Sequence, residues 1–165
     1  MKMKAILMLL VFIPLIGCDR ITKNQAVTHL KGQEPHSFLD GLLTLIYHEN
    51  TGGMLSLGEN LPEGIRFAVF TALVGLVLLA ALVYILFKPM TKLSFTVGLL
   101  ILAGGFGNLY DRAINDGRVV DFILLEFGPI RTGVFNVADV AIMVGLFGFF
   151  IISSKWGQQL TKVSN

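Results

Sequence analysis

Long apolar runs, separated by short polar clusters, dominate the pattern of this chain. Residues 65–87, 93–110 and 134–152 are each mostly apolar stretches, whose only charged residues are Arg66 in the first and Asp139 in the third. A helix needs about 20 mostly apolar residues to cross the hydrocarbon core of a bilayer, so all three qualify. A fourth run, residues 5–18, is cut short by Asp19 and Arg20. A span there must continue to about Ala26, which puts Asp19 about 22 Å along the helix axis from Lys4, near the far edge of the membrane. The pattern predicts four transmembrane helices over approximately 5–26, 65–87, 93–111 and 134–153, with external segments 27–64 and 112–133. Alternation over residues 44–48 and the β-favouring run Val119-Val120-Asp121-Phe122-Ile123-Leu124-Leu125 predict strands in both segments. Both read as apolar structure resting on the membrane surface. The expected fold is an all-α membrane protein: a single domain over 1–165, with four helices and a small β-containing extracytoplasmic region.

Composition agrees with that class. Hydrophobic residues make up 54% of the 165 and charged residues 15%, against about 25% charged in soluble domains. Mean hydropathy is +0.74. The net charge of +2 implies no nucleic-acid partner. Its distribution says more. With four spans, Lys2, Lys4, Lys88, Lys92, Lys155 and Lys162 share one side of the membrane, and all eleven Asp and Glu fall on the other side or at its edge. Positive charge stays cytoplasmic, which places both termini inside and the polar clusters at the outer interface. Trp156 reads as an inner interfacial anchor. The single cysteine, Cys18, excludes an internal disulfide framework, and His29, His36 and His48 lack metal-ligand spacing, so neither a metal nor another cofactor is expected. Lys2, Lys4 and the lipobox-like Leu15-Ile16-Gly17-Cys18 also fit a cleaved lipoprotein signal sequence. The three further spans favour a first membrane helix instead.

The polar clusters converge at one depth. Asp19 to Lys23 ends the first span, Glu49 to Gly53 precedes the second, Gly104 to Arg112 ends the third, and Phe135 to Asp139 opens the fourth. Acidic residues at a bilayer edge are costly and mark functional sites. Asp121 and Asp139, joined by a connection short enough to fold back, suggest two carboxylates sharing a proton and able to activate water. No Ser–His or Cys–His pair competes for that role.

The ordered set Asp-x-x-Thr-Lys, Asn-x-Gly, Gly-Gly-x-x-Gly-Asn-x-x-Asp-Arg, Gly-x-Val-Val-Asp-Phe and Phe-Asn-x-Ala-Asp resembles the signal peptidase II (lipoprotein signal peptidase) family, from Asp19 to Asp139. The resemblance implies an aspartic endopeptidase of the bacterial inner membrane. It implies a diacylglyceryl-modified prolipoprotein substrate, cut before the lipidated cysteine, with membrane lipids around the protein; nothing in the sequence requires more than a monomer. It makes Asp121 and Asp139 the catalytic pair, supported by Asp19, Lys23, Asn50, Gly52, Asn108, Arg112 and Asn136. One departure is the sequence Gly53-Met54-Leu55, where the family has small residues and then Phe.

Plainer roles are open for each residue. Asn136 and Asp139, three apart, fit a helix N-cap with an acidic third residue. Asp121 could be a solvated loop acid. Asp111 and Arg112 could form an interfacial ion pair. Asp19 and Lys23, four apart, can pair on one helix face. Gly104, Gly105 and Gly107 permit close helix packing. A small transporter or proton-relay protein would also carry interfacial carboxylates.

Overall fold

The computed structural model describes residues 2–53 and 57–154. Lys155, Trp156, Lys162 and the Met54-Leu55 part of the family departure lie outside the described residues. Helix α1 runs Lys2–Leu30, α2 Glu63–Phe87, α3 Lys92–Ile114 and α4 Val137–Ser153. The first three are long and apolar enough to cross a membrane, while α4 is an apolar helix of 17 residues.

The boundaries have local causes. The 29 residues of α1 reach about 43 Å, well beyond the hydrocarbon core. It ends at Leu30 rather than near residue 26, because its last turns have protein to pack against. Asp19, Lys23, Ala26 and Leu30, at steps of four, three and four, form its buried stripe. A π-helical stretch, Met8–Phe12, precedes Pro14, whose missing N–H would leave a gap in a regular α-helical ladder. Helix α3 starts where the Thr91 hydroxyl accepts from the Ser94 N–H at 3.1 Å. Helix α4 begins at Val137, three residues later than its apolar run suggests. Phe135 is drawn into the sheet, giving its carbonyl to the Phe122 and Ile123 N–H groups, and Asn136 becomes the cap.

The two external segments combine into one four-stranded antiparallel sheet of order β1-β2-β3-β4. Its strands are β1 His36–Phe38, β2 Leu43–Asn50, β3 Val119–Phe127 and β4 Ile130–Arg131. The alternation locates β2 and the β-favouring run locates β3; that they pair across almost 70 residues of chain is a product of the fold. Leu45 pairs with Ile123 and His48 with Asp121, so β2 carries an extra residue in between. One sheet face packs on the last turns of α1 through Ala26, Leu30, Val120 and Phe122.

Helix α3 is the central element and packs most extensively on α4. Phe95, Leu99 and Leu102 fill its contact with Leu78 and Ile85 of α2. Glycine sets the α3–α4 spacing: a Cβ on Gly104 would lie 2.3 Å from the Ala138 carbonyl oxygen, which is backbone and cannot give way. A methyl on Gly107 would meet the Asp19 carboxylate at 2.8 Å. Most of α2's large apolar side chains, such as Leu76, Val77 and Phe87, face outward, as expected of a helix solvated by lipid tails. Gly104→Ala is expected to push α3 and α4 apart and lower the thermal midpoint in detergent by the equivalent of about 1–3 kcal/mol. Gly17→Ala, with nothing within 4 Å of the added carbon, should leave the midpoint unchanged or raised. Equal behaviour of the two variants would refute the packing assignment.

Candidate active site

Five separate elements deliver the polar groups to one place. Asn108 stands about one turn from both Asp111 and Arg112 on α3, and Asp19 and Lys23 share the buried stripe of α1. Asn50 ends β2, Asp121 lies near the start of β3, and Asn136 with Asp139 forms the first turn of α4.

The Asn136 side chain joins the two aspartates. Its Oδ1 accepts from the Asp139 N–H at 2.9 Å, and the Asp139 Oδ2 accepts from the Asn136 N–H at 3.1 Å, a reciprocal capping box. Its Nδ2 donates to Asp121 Oδ1 at 2.6 Å. Asn136 therefore caps α4 and also bonds to Asp121. Asp121 Oδ2 accepts from Asn50 Nδ2 at 3.0 Å, and Asp139 Oδ1 from Asn108 Nδ2 at 2.8 Å.

The two carboxyls have different surroundings. Asp121 is 1% exposed, which excludes the solvated-loop reading, whereas Asp139 is half-buried. Burial first, and the neighbouring Asp139 charge second, push the Asp121 carboxyl up to about 7, against the opposing pull of the Asn50 and Asn136 amides. One member of the pair thus holds its proton near neutral pH.

Beneath the pair lies a buried ionic cluster. Lys23, 1% exposed, meets Asp19 at 2.8 Å and Asp111 at 3.1 Å, and donates to Asn108 Oδ1 at 2.9 Å. Asn136 Nδ2 also donates to Asn108 Oδ1, at 3.1 Å. With its oxygen held by two donors, the Asn108 amide must turn its NH2 toward Asp139. Asp19 accepts from the Ala138 N–H at 2.9 Å, fixing the α4 N-terminus, and Asp111 accepts from the Val120 N–H at 3.2 Å, fixing β3.

The Asp111–Arg112 pair expected from sequence does not form. Asp111 is fully buried and pairs with Lys23 and with Arg20, the latter at 3.2 Å. Adjacent residues on a helix point about 100° apart, so Arg112 turns elsewhere. Its Nη2 donates to the Gly52 carbonyl at 2.6 Å, while its Nε is buried without a hydrogen-bond partner. Gly52 in turn donates to Asn50 Oδ1 at 2.9 Å, so Arg112, Gly52 and Asn50 form a brace under Asp121. Arg20 escaped the sequence reading; its spacing of three from Lys23 was the available signal. On the opposite sheet face, Glu49 accepts from Tyr47, Lys31 and Arg118, which hold its carboxyl down to about 2. That clamp ties the end of α1 to the sheet. Among the described residues no group of three or more His, Cys, Asp or Glu could hold a metal. Cys18 is exposed on α1, which runs unbroken past it.

Chemically, the arrangement holds a protonated and an ionisable carboxyl at helix and strand ends, with amide donors fixing both. Comparisons with known proteins give the family. A family model described as signal peptidase (SPase) II matches residues 11–155. The lipoprotein signal peptidase of Streptococcus pneumoniae (strain ATCC BAA-255 / R6) is 35% identical over 157 residues, covering 94% of this chain and 96% of that protein. The lipoprotein signal peptidase of Borrelia duttonii (strain Ly) is 34% identical over 148 residues, 86% of each chain. A solved bacterial membrane enzyme superposes with a TM-score of 0.75 at 25% identity, over 87% of this chain and 84% of that one.

Lys23→Met should be strongly destabilising, by about 3–5 kcal/mol, because it strands two buried carboxylates. Asp111→Asn should also lower the thermal midpoint, since it unbalances Lys23 and Arg20. Midpoints in detergent matching the unmodified protein for both variants would show that the cluster is not a structural unit.

Proposed function

The chain belongs to the signal peptidase II family, and we propose that Asp121 and Asp139 are the acid and base with which it cuts its substrate. It is a hydrolase of the membrane that removes signal peptides from prolipoproteins. The observation that carries the dyad is the Asn136 bridge, bonded to Asp121 through its side chain and to Asp139 through its backbone. In the proposed reaction, ionised Asp139 takes a proton from water, and the water oxygen attacks the scissile carbonyl carbon. Protonated Asp121 donates to the carbonyl oxygen, and a tetrahedral intermediate forms. As it collapses, the C–N bond breaks. The proton on Asp139 passes to the leaving amine, and the hydroxyl proton returns to Asp121. No acyl-enzyme is needed. Burial of Asp121 supports its role as the acid, and the half-exposed position of Asp139 supports its access to water.

The remaining residues take supporting roles in this reading. Asn108 and Asn136 orient the dyad, Asn50, Gly52 and Arg112 brace Asp121, and Asp19 and Lys23 hold the α1–α3–α4 junction. The proposed substrate carries a diacylglyceryl group on its lipobox cysteine, and the cut falls just before that cysteine. The whole chain acts as one domain, a monomer in the bacterial inner membrane, with α4 as the fourth span. Segregation of Lys2, Lys4, Lys88 and Lys92 from every acidic residue supports cytoplasmic termini and a site at the outer interface. That position suits a substrate whose helix and lipid are both confined to the bilayer.

Asp121→Asn and Asp139→Asn, each alone, should lower cleavage of a lipidated precursor by at least about 100-fold while the protein still inserts and folds. Turnover retained by either variant refutes the dyad. Because Asp121 must be protonated, kcat should decline as pH rises through about 7, with the apparent value belonging to the pair. A kcat still rising at pH 8 would contradict Asp121 as the acid.

A further inference from the structure

The sheet face bearing Asp121 carries a histidine that neither the resemblance nor the dyad accounts for. His48 is the direct cross-strand partner of Asp121, and Asn50 that of Val119. Directly opposed residues in an antiparallel pair project to the same face, as do residues two apart. The Asn50–Asp121 hydrogen bond confirms the facing. The other face is fixed just as firmly: Tyr47, Glu49 and Val120 lie together beside Val27 and Lys31 at the end of α1. His48 therefore stands on the dyad side of the sheet, next to Asp121.

Most other donors around the dyad are engaged, although the Arg112 Nε is buried without a partner. Asn50 Nδ2 serves Asp121 and Gly53, Asn108 Nδ2 serves Asp139, Asn136 Nδ2 serves Asp121 and Asn108, and Arg112 Nη2 serves Gly52. His48 is half-buried, and among the described residues its imidazole makes no hydrogen bond, ion pair or ring contact. A polar side chain at the site, with donor and acceptor both unused, is available to a ligand.

We propose that His48 is a substrate-binding residue whose imidazole N–H donates to a carbonyl oxygen of the bound precursor beside the scissile bond. This inference rests on the peptidase reading above. A lipidated precursor offers two such oxygens near the cut, a peptide carbonyl and an acyl-ester carbonyl of the glyceryl group. Both present the same acceptor to the imidazole. The bond forms on binding and persists through the reaction, so it lowers KM more than it raises kcat.

The test is steady-state cleavage of a diacylglyceryl-modified precursor peptide in phospholipid–detergent micelles by His48→Ala, His48→Phe and His48→Gln, with Asp121→Asn alongside. One net hydrogen bond corresponds to a KM rise of about 3- to 10-fold. That rise is expected for His48→Ala and His48→Phe, with kcat within twofold. His48→Gln restores a donor and should recover much of the loss. Repeating the series on a precursor with ether-linked chains identifies the acceptor: a persisting KM penalty assigns a peptide carbonyl, and a vanished one an ester carbonyl. KM unchanged in both His48→Ala and His48→Phe, a loss in kcat alone, or equal penalties in His48→Gln and His48→Phe overturns the proposal. If those results coincide with an inactive Asp121→Asn, only the His48 role falls. Turnover by Asp121→Asn would remove the dyad reading beneath it.

Discussion

The buried amino group of Lys23, held between Asp19 and Asp111, is the contact on which the site's geometry depends. Helices in lipid gain little from burying apolar surface against one another, because the tails are as apolar as leucine. Close packing and polar contacts must fix their relative positions. Here Gly104 and Gly107 bring α3 against α4 and α1. The Lys23 cluster then links α1 to α3 directly, to α4 through the Ala138 N–H, and to β3 through the Val120 N–H. Burying these charges costs desolvation, and the attraction between them largely offsets that cost without adding much net stability. Its consequence is positional: the two elements that carry Asp121 and Asp139 are anchored to the same ionic cluster.

From that anchorage follows the unequal treatment of two identical side chains. Asp139 sits half-buried in the first turn of α4, tied to the Asn136 N–H and the Asn108 amide. Asp121 sits on a strand, shielded on all sides, beside the Asp139 charge, and holds a proton near neutral pH. Asn136 keeps the two together, and Asn108, oriented by Lys23, keeps Asp139 in place. In the proposed reaction, the acid and the base are thus one residue type in two different surroundings. The external sheet contributes by presenting Asp121, Asn50 and His48 on one face while its other face rests on α1.

Much of this was legible in the amino-acid sequence. Three of the four apolar runs match helices of spanning length, and the Asp19–Lys23 pair, the Asn136 cap and the close-packing glycines all follow from short-range spacing. Local rules reach these features because each depends on residues within a turn of one another or on a composition bias. The resemblance added the grouping of Asp121 with Asp139 and the supporting polar set.

Tertiary structure decided whatever joins distant parts of the chain. The pairing of β2 with β3, and the extra residue that sets His48 opposite Asp121, depend on two loops meeting over α1. The partner of Asp111 proved to be Lys23 and Arg20 rather than the adjacent Arg112, since neighbours on a helix diverge while residues on different helices converge. The Asp121 proton follows from burial by elements up to about 100 residues away in the chain. Sequence alone determined which polar groups end or interrupt the apolar runs, because hydropathy and charge act locally. Which of them touch, and which carboxyl keeps its proton, was left to packing, because contact and desolvation are properties of the assembled fold.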